Sequence, residues 1–221
     1  MTFASAEEEA RERLTESATL LAHLRAIAPM GRTPLDDLQK AQRGLWLVSL
    51  YAAFERGVNA VVEAALQEIS SHGPKSIESA PSLHAVFHFS KVQSVKDCSY
   101  SSVFESSIAM FQASLSDAPL VMGDNHLAKY LQNVDGGTLE WVCTLFGATP
   151  YAVVGANRGR LATLRERRNA VAHGREAASQ VGERYDLTEM QRVYDAADAE
   201  LLRFKLHMED YCTGRRYVRA A

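Results

Sequence analysis

An arginine-rich segment that ends near a histidine is the part of this chain best suited to chemistry. Residues 158–175 contain six arginines and one glutamate, so the segment carries about +5 in a protein of net charge −3. Guanidinium groups present forked donors that match the oxygens of a phosphate. The segment therefore indicates a phosphate-binding surface, and the alternative is a solvated basic face of a helix.

Helical spacing places the polar residues of this segment on two different faces of the predicted helix. Arg168 lies within the apolar stripe of Leu161 and Leu164, where a charge is costly unless it is paired. His173 lies on another line, and we expect the side chain of Asn169, one turn earlier, to orient its imidazole. The spacing of five separates Arg168 and His173 by about 140°. A site that contains both needs either a bend in the helix or a second copy of the chain across a two-fold axis.

The elements that position this segment are all predicted to be helices. Capping signals and helical periods predict long helices and short ones, over about 5–28, 33–70, 82–91, 100–115, 138–147, 158–174 and 188–214. The residues expected to begin four of them are Ser5, Thr33, Thr138 and Thr188. Pro29 and Gly31 are expected to stop the first.

The last predicted helix has the clearest pattern. Large apolar residues return every three or four positions from Met190 to Tyr211, which is typical of a bundle core. No convincing strand alternation occurs. The sequence therefore predicts an all-α fold, a helical bundle formed by residues 1–221 as a single domain. Residues 71–125 are expected to be a long insertion between the second helix and the motif-bearing helix.

Composition narrows the function classes. An apolar content of 47% and a charged content of 23% argue against general disorder. The three cysteines form no CxxC motif, and the N-terminus has neither a basic nor an apolar leader region, so we expect a cytoplasmic protein with no membrane segment.

His84 and His88 have the spacing of a metal pair, but no HExxH glutamate lies between them. Neither a metal nor a cofactor is expected.

Residues 167–174, Arg-Arg-Asn-Ala-Val-Ala-His-Gly, resemble the signature of the HEPN superfamily (higher eukaryotes and prokaryotes nucleotide-binding). Active members carry Arg, a polar residue, a short variable stretch and His, and Arg168, Asn169 and His173 take those positions. The segment from Tyr51 to Glu55 is similar to an aromatic-Phe-Glu stretch in an early helix of bacterial members. The resemblance is close over residues 158–190 and loose over most of the chain. It does not extend to residues 71–125.

This resemblance implies a metal-independent endoribonuclease that acts on RNA as a homodimer, with two motif helices lining one cleft. His173 would transfer a proton during attack by a ribose 2′-OH, and Arg168 would stabilise the negative charge of the transition state. The product would be a 2′,3′-cyclic phosphate. Members of the superfamily often act as toxins or defence effectors beside an antitoxin partner, frequently a nucleotidyltransferase.

Four further residues belong to the expected site. Glu55 either orients Arg168 for catalysis or pairs with it purely for packing. Arg165, Arg167 and Arg175 are expected to contact RNA phosphates. The alternative for the whole chain is a non-catalytic HEPN module that binds RNA, a nucleotide or a protein partner through the same cleft.

Overall fold

The computed structural model describes residues 1–29, 33–122 and 125–219, and this part of the chain is all-α, as predicted. The helices are α1 (Phe3–Ala26), α2 (Asp37–His72), α3 (Pro81–Phe87), α4 (Phe89–Asp97), α5 (Val103–Ser114), α6 (Gly136–Phe146), α7 (Gly155–Ala172), α8 (Ala178–Gly182) and α9 (Leu187–Thr213). Gly31, expected to help stop the first helix, lies outside the described residues, as do two residues of the predicted insertion. Among the described helices, none is both long and apolar enough to cross a bilayer.

Helix α2 is the centre of the bundle because apolar side chains cover most of its circumference. Three consecutive residues, Ala64, Ala65 and Leu66, are all buried, although each points about 100° away from the one before it. Helices α1, α7, α8 and α9 pack against it. A helix that is apolar on all sides must be enclosed by others. The motif helix α7 is therefore anchored to the most buried element of the protein.

Two glycines allow a short helix that the sequence did not indicate, α8, to approach α2 closely. A Cβ atom on Gly44 would collide with the carbonyl group of Ala178, and one on Gly182 with the carbonyl oxygen of Lys40. In the sequence, Gly44 signals only a local loss of helix stability. In the structure it permits a backbone contact that no other residue type allows. This contact holds the chain that follows the motif helix against α2.

The predicted capping residues of four helices, Ser5, Thr33, Thr138 and Thr188, are wrong by two or three positions. The residues that cap α1, α2, α6 and α9 are Thr2, Asp36, Asp135 and Asp186. Each accepts a hydrogen bond from the backbone N–H three residues later. Ser5 and Thr138 occupy that third position and complete reciprocal capping boxes, so a real capping signal was assigned to the wrong end of the pair.

The apolar pattern predicted for the last helix is confirmed. Tyr194 is half-buried, and the other six stripe residues are buried: Met190, Ala197, Leu201, Phe204, Met208 and Tyr211. The helix ends at Gly214, as predicted. Helix α9 packs against α1, α2 and α7, so its stripe forms one wall of the bundle core.

The predicted insertion contains short helices and few fully buried side chains. The helix expected near 82–91 is two helices, α3 and α4, which meet at His88. The helix expected near 100–115 is a short 3₁₀ turn followed by α5. One face of this segment carries large apolar side chains that are exposed in the described chain: Tyr100, Phe104, Ile108, Phe111 and Leu115.

Candidate active site

A buried carboxylate fixes the start of the motif helix. Glu200 on α9 is fully buried and accepts hydrogen bonds from the hydroxyl of Tyr151 at 2.9 Å and the side-chain amide of Asn157 at 2.8 Å. It also accepts from the backbone N–H of Val154 and pairs with Arg203 at 2.7 Å. Burial favours the neutral acid, but these donors outweigh it and hold the pKa of Glu200 below its ordinary value. The loop before α7 is thereby fastened to α9.

Arg168 is held from three sides on the packed face of α7. Its Nη2 donates to Oε2 of Glu55 at 2.7 Å, and its Nη1 donates to Oδ1 of Asn169 at 2.9 Å. Its guanidinium lies over the ring of Tyr51, with Cζ 4.1 Å from the ring centre. Tyr51 and Glu55 are one turn apart on α2, so a single face of the central helix supplies both contacts. The ion pair that the sequence left open is present.

Solvent reaches the pair of Arg168 and Glu55 only partly. The side chains are 18% and 23% exposed. Burial raises the pKa of Glu55 above its ordinary value, although Arg168 and the hydroxyl of Tyr51 act to lower it. The removal of either partner would leave a charge that burial disfavours, which makes this pair more costly to break than a surface pair.

Residues 131–135, which we call the clasp, cross the polar side of the motif helix. The clasp links the 3₁₀ helix Ala128–Tyr130 to α6. Its contacts with α2 and α7 join Leu131 to Asn59 at 3.1 Å, Gln132 to Arg168 at 3.5 Å, Asn133 to Asn169 at 3.1 Å, Val134 to Tyr51 at 3.1 Å, and Asp135 to Arg165. Sequence reasoning did not find the clasp, because these contacts join positions thirty or more residues apart and follow no local spacing.

The clasp changes the role of Asn169. Its Nδ2 donates to Oδ1 of Asn133, while its Oδ1 accepts from Arg168. The contact that we expected with His173 is not formed, and the amide is directed instead at Asn133 and Arg168. Asn169 therefore extends the network around Arg168.

Carboxylates from other elements pair with most of the positive charge on α7. The ion pairs join Arg158 to Glu140, Arg160 to Glu189, Arg165 to Asp135, Arg167 to Glu176, and Arg168 to Glu55. The sequence window gave about +5 because it counted only its own glutamate. A phosphate that approaches Arg165 or Arg167 therefore meets a guanidinium whose charge is already paired with a carboxylate. Arg175 is exposed and takes part in no ion pair within the described ranges.

His173 lies in solvent at the end of α7. Gly174 follows with φ of +66°, a left-handed conformation that favours glycine, and the N–H of Arg175 donates back to the carbonyl of Ala170 at 2.9 Å. Helix α7 is continuous from Gly155 to Ala172. The spacing of five therefore keeps Arg168 and His173 about 140° apart, on different faces.

His84 on α3 and His88, where α3 meets α4, form a stacked pair. The rings of His84 and His88 lie 5.4 Å apart and nearly parallel. Burial lowers the pKa of both imidazoles. Within the described residues, no three potential metal ligands cluster in space.

Comparison with known proteins finds no family model, curated protein or solved structure that matches this chain. The resemblance of residues 167–174 to the HEPN signature therefore stays a prediction from the sequence.

Proposed function

We propose that this protein is a metal-independent endoribonuclease of the HEPN type. The observation that carries the proposal is the contrast within the motif. Arg168 is immobilised by Glu55, Tyr51 and Asn169, whereas the imidazole of His173 is open to solvent. A cation held in place for a transition-state charge and an accessible acid–base group are what RNA cleavage by its own 2′-OH requires.

The reaction forms one bond and breaks one bond at phosphorus. His173 takes the proton of the 2′-OH, and the resulting oxygen attacks the adjacent phosphorus. The bond to the 5′-oxygen breaks, and an imidazole returns a proton to that leaving oxygen. Arg168 stabilises the additional negative charge on the phosphoryl oxygens. The products are a 2′,3′-cyclic phosphate and a 5′-hydroxyl, and DNA is not cleaved because it lacks the attacking hydroxyl.

The proposed active unit is a homodimer. In one chain Arg168 and His173 point about 140° apart along a continuous helix. A two-fold axis beside α7 brings the Arg168 face of one copy towards the His173 end of the other. We propose a cytoplasmic toxin or defence effector for the biological role. An antitoxin, such as a nucleotidyltransferase, would restrain it.

The test is cleavage of RNA by the purified protein in EDTA. We expect the wild type to cleave, and Arg168→Ala and His173→Ala to lose activity by about a hundredfold or more. Two matched controls, Arg192→Ala and His23→Ala, replace exposed residues outside the motif and should cleave normally. Equal cleavage by all five proteins would contradict the catalytic assignment, and activity abolished by EDTA would contradict the metal-independent mechanism.

A second candidate, a non-catalytic module, is favoured by the ion pairs of α7. Arg165 and Arg167 already have carboxylate partners, as a purely structural basic helix would. This candidate predicts that the protein binds RNA, a nucleotide or a protein partner and leaves RNA intact. Binding measured alongside the cleavage assay separates the two candidates.

A further inference from the structure

A row of aromatic rings lies on the surface beside the motif. Phe89 is 4.9 Å from His126 and 6.2 Å from Tyr130, and Tyr130 is 6.4 Å from Trp141, measured between ring centres. Tyr130 is 51% exposed and Trp141 is 42% exposed. Large rings that cluster in solvent are characteristic of a binding surface.

A lysine gives this row a positive charge. The Nζ of Lys129 is 5.1 Å from the ring centres of both Phe89 and Tyr130. An apolar helix of a protein partner would have to bury this ammonium, which is costly without a counter-charge. A nucleic acid supplies both a phosphate for the ammonium and flat bases for the rings.

The row is continuous with the candidate active site through the clasp. Tyr130 directly precedes the clasp, and the carbonyl of Gln132 is 3.5 Å from Nη2 of Arg168. Since two residues span about 7 Å at most, the backbone of Tyr130 lies within roughly 13 Å of that guanidinium. Trp141 is on α6, whose capping residue Asp135 pairs with Arg165. Both exposed rings are thus tied to residues that touch the motif arginines.

We propose that Tyr130 and Trp141 form a base-stacking platform for single-stranded RNA, with Lys129 on the phosphate backbone. The proposal rests on the proposed ribonuclease function and adds the class of substrate. The RNA must be unpaired, because a duplex hides the faces of its bases. Bases stack on the exposed ring faces, and the next phosphates extend past the clasp towards Arg168.

The tryptophans of the chain allow a direct measurement. Trp141 is half exposed, whereas Trp46 is 2% exposed and donates to the carbonyl of Ser17 at 2.8 Å. Stacking by a base quenches Trp141 and leaves Trp46 unchanged. The experiment titrates full-length His173→Ala, which does not consume the probe, with a short single-stranded oligoadenylate. We expect saturable quenching that is lost in the double variant with Trp141→Phe, and little quenching by duplex RNA.

Substitutions in the platform should change the affinity of the protein for single-stranded RNA. Tyr130→Ala should weaken binding of labelled oligoadenylate about tenfold, since one stacked base is lost. Lys129→Ala should weaken it less and lower the slope of log affinity against log salt by about one. The matched control is Tyr100→Ala, because Tyr100 is an exposed tyrosine outside the ring row. It should bind as tightly as the parent.

The outcomes separate this proposal from the ribonuclease. RNA cleavage by the wild type without quenching of Trp141 would overturn the platform and leave the ribonuclease standing. Binding that depends on Tyr130, together with a wild type that cleaves no RNA, would support the platform and contradict the ribonuclease. Equal affinity of Tyr130→Ala and Tyr100→Ala for oligoadenylate would overturn the platform. So would a change in Trp141 fluorescence that a protein partner produces and RNA does not.

Discussion

Arg168 lies within α7 and His173 caps the end of the same helix, but their environments are opposite. Arg168 is fixed by an acid, an aromatic ring and an amide that come from α2 and its own helix. His173 follows the last helical residue, faces solvent, and is shaped mainly by the left-handed turn at Gly174. The folded monomer therefore organises one half of the proposed catalytic pair and leaves the other half open.

Because Arg168 is held and His173 is open, substitutions near the two residues should differ in how much folding stability they remove. We expect substitutions on the held side to lower both folding stability and the proposed cleavage, because the charges there are partly or wholly buried. At the open end we expect a loss of the proposed cleavage with little effect on stability. Substitutions on the two sides should therefore give different ratios of lost stability to lost cleavage.

The largest expected effect is at Glu200, which fastens the start of α7. Glu200→Gln should lower the free energy of unfolding by about 3 kcal/mol at pH 7, because it removes a buried charge with several donors. The pKa of Glu200 is lower in the folded state than in the unfolded state. Its contribution is therefore present above the unfolded pKa and is lost as pH falls through the folded pKa. Denaturant unfolding between pH 7 and acidic pH should show the two proteins converge.

The control for Glu200 is Asp198→Asn, which neutralises an exposed acid on the same helix. It should change stability by less than about 0.5 kcal/mol. If the free energies of unfolding of the wild type and Glu200→Gln differed by the same amount across the acidic range, the lowered pKa of Glu200 would be contradicted.

At Glu55 we expect a smaller loss of stability together with a loss of cleavage. Glu55→Ala leaves the half-buried Arg168 without its counter-charge and should cost about 2 kcal/mol. The matched variant Glu68→Ala removes a more exposed acid from the same helix and should cost less than about 0.5 kcal/mol. Paired unfolding and cleavage assays measure both quantities. A stable Glu55→Ala protein with normal cleavage would show that Arg168 needs no support from α2.

Two glycines of the motif region should respond to alanine with opposite signs. An added Cβ meets nothing within 4 Å at Gly159 or Gly174, but only Gly174 has a positive φ. Gly174→Ala should destabilise the fold by about 1 kcal/mol and disturb the turn after His173. Gly159→Ala should stabilise it by up to about 1 kcal/mol, because Gly159 is inside a helix. Thermal unfolding measures the change in stability of each variant. A change of the same sign in both would contradict the left-handed turn at Gly174.

The smallest effect on stability is expected at the open end. His173→Ala should change the free energy of unfolding by less than about 0.5 kcal/mol, because the side chain is exposed. The same variant should lose nearly all cleavage. If His173→Ala unfolded as readily as Glu55→Ala, the contrast between the two halves of the motif would be wrong.

Much of the helical frame was predictable from sequence because its signals are local. Apolar periods indicated α2 and α9, and capping residues located helix starts to within a few positions. The pairing of Arg168 was also predictable in kind, because a charge in an apolar stripe needs a partner. The clasp and the neutralised arginines were not predictable. They depend on contacts such as that of Asp135 with Arg165, which form only when distant elements meet.

The most direct test of the composite active site mixes two inactive variants. Arg168→Ala retains His173, and His173→Ala retains Arg168, so a mixed dimer has one complete site if each site uses both chains. The two variants are mixed in equal amounts and allowed to exchange subunits, and native mass spectrometry verifies the mixed dimers. About half of the dimers are then mixed and each has one complete site of two, so cleavage should return to about a quarter of the wild-type level. Mixed dimers that form and cleave no RNA, beside an active wild type, would contradict the composite site.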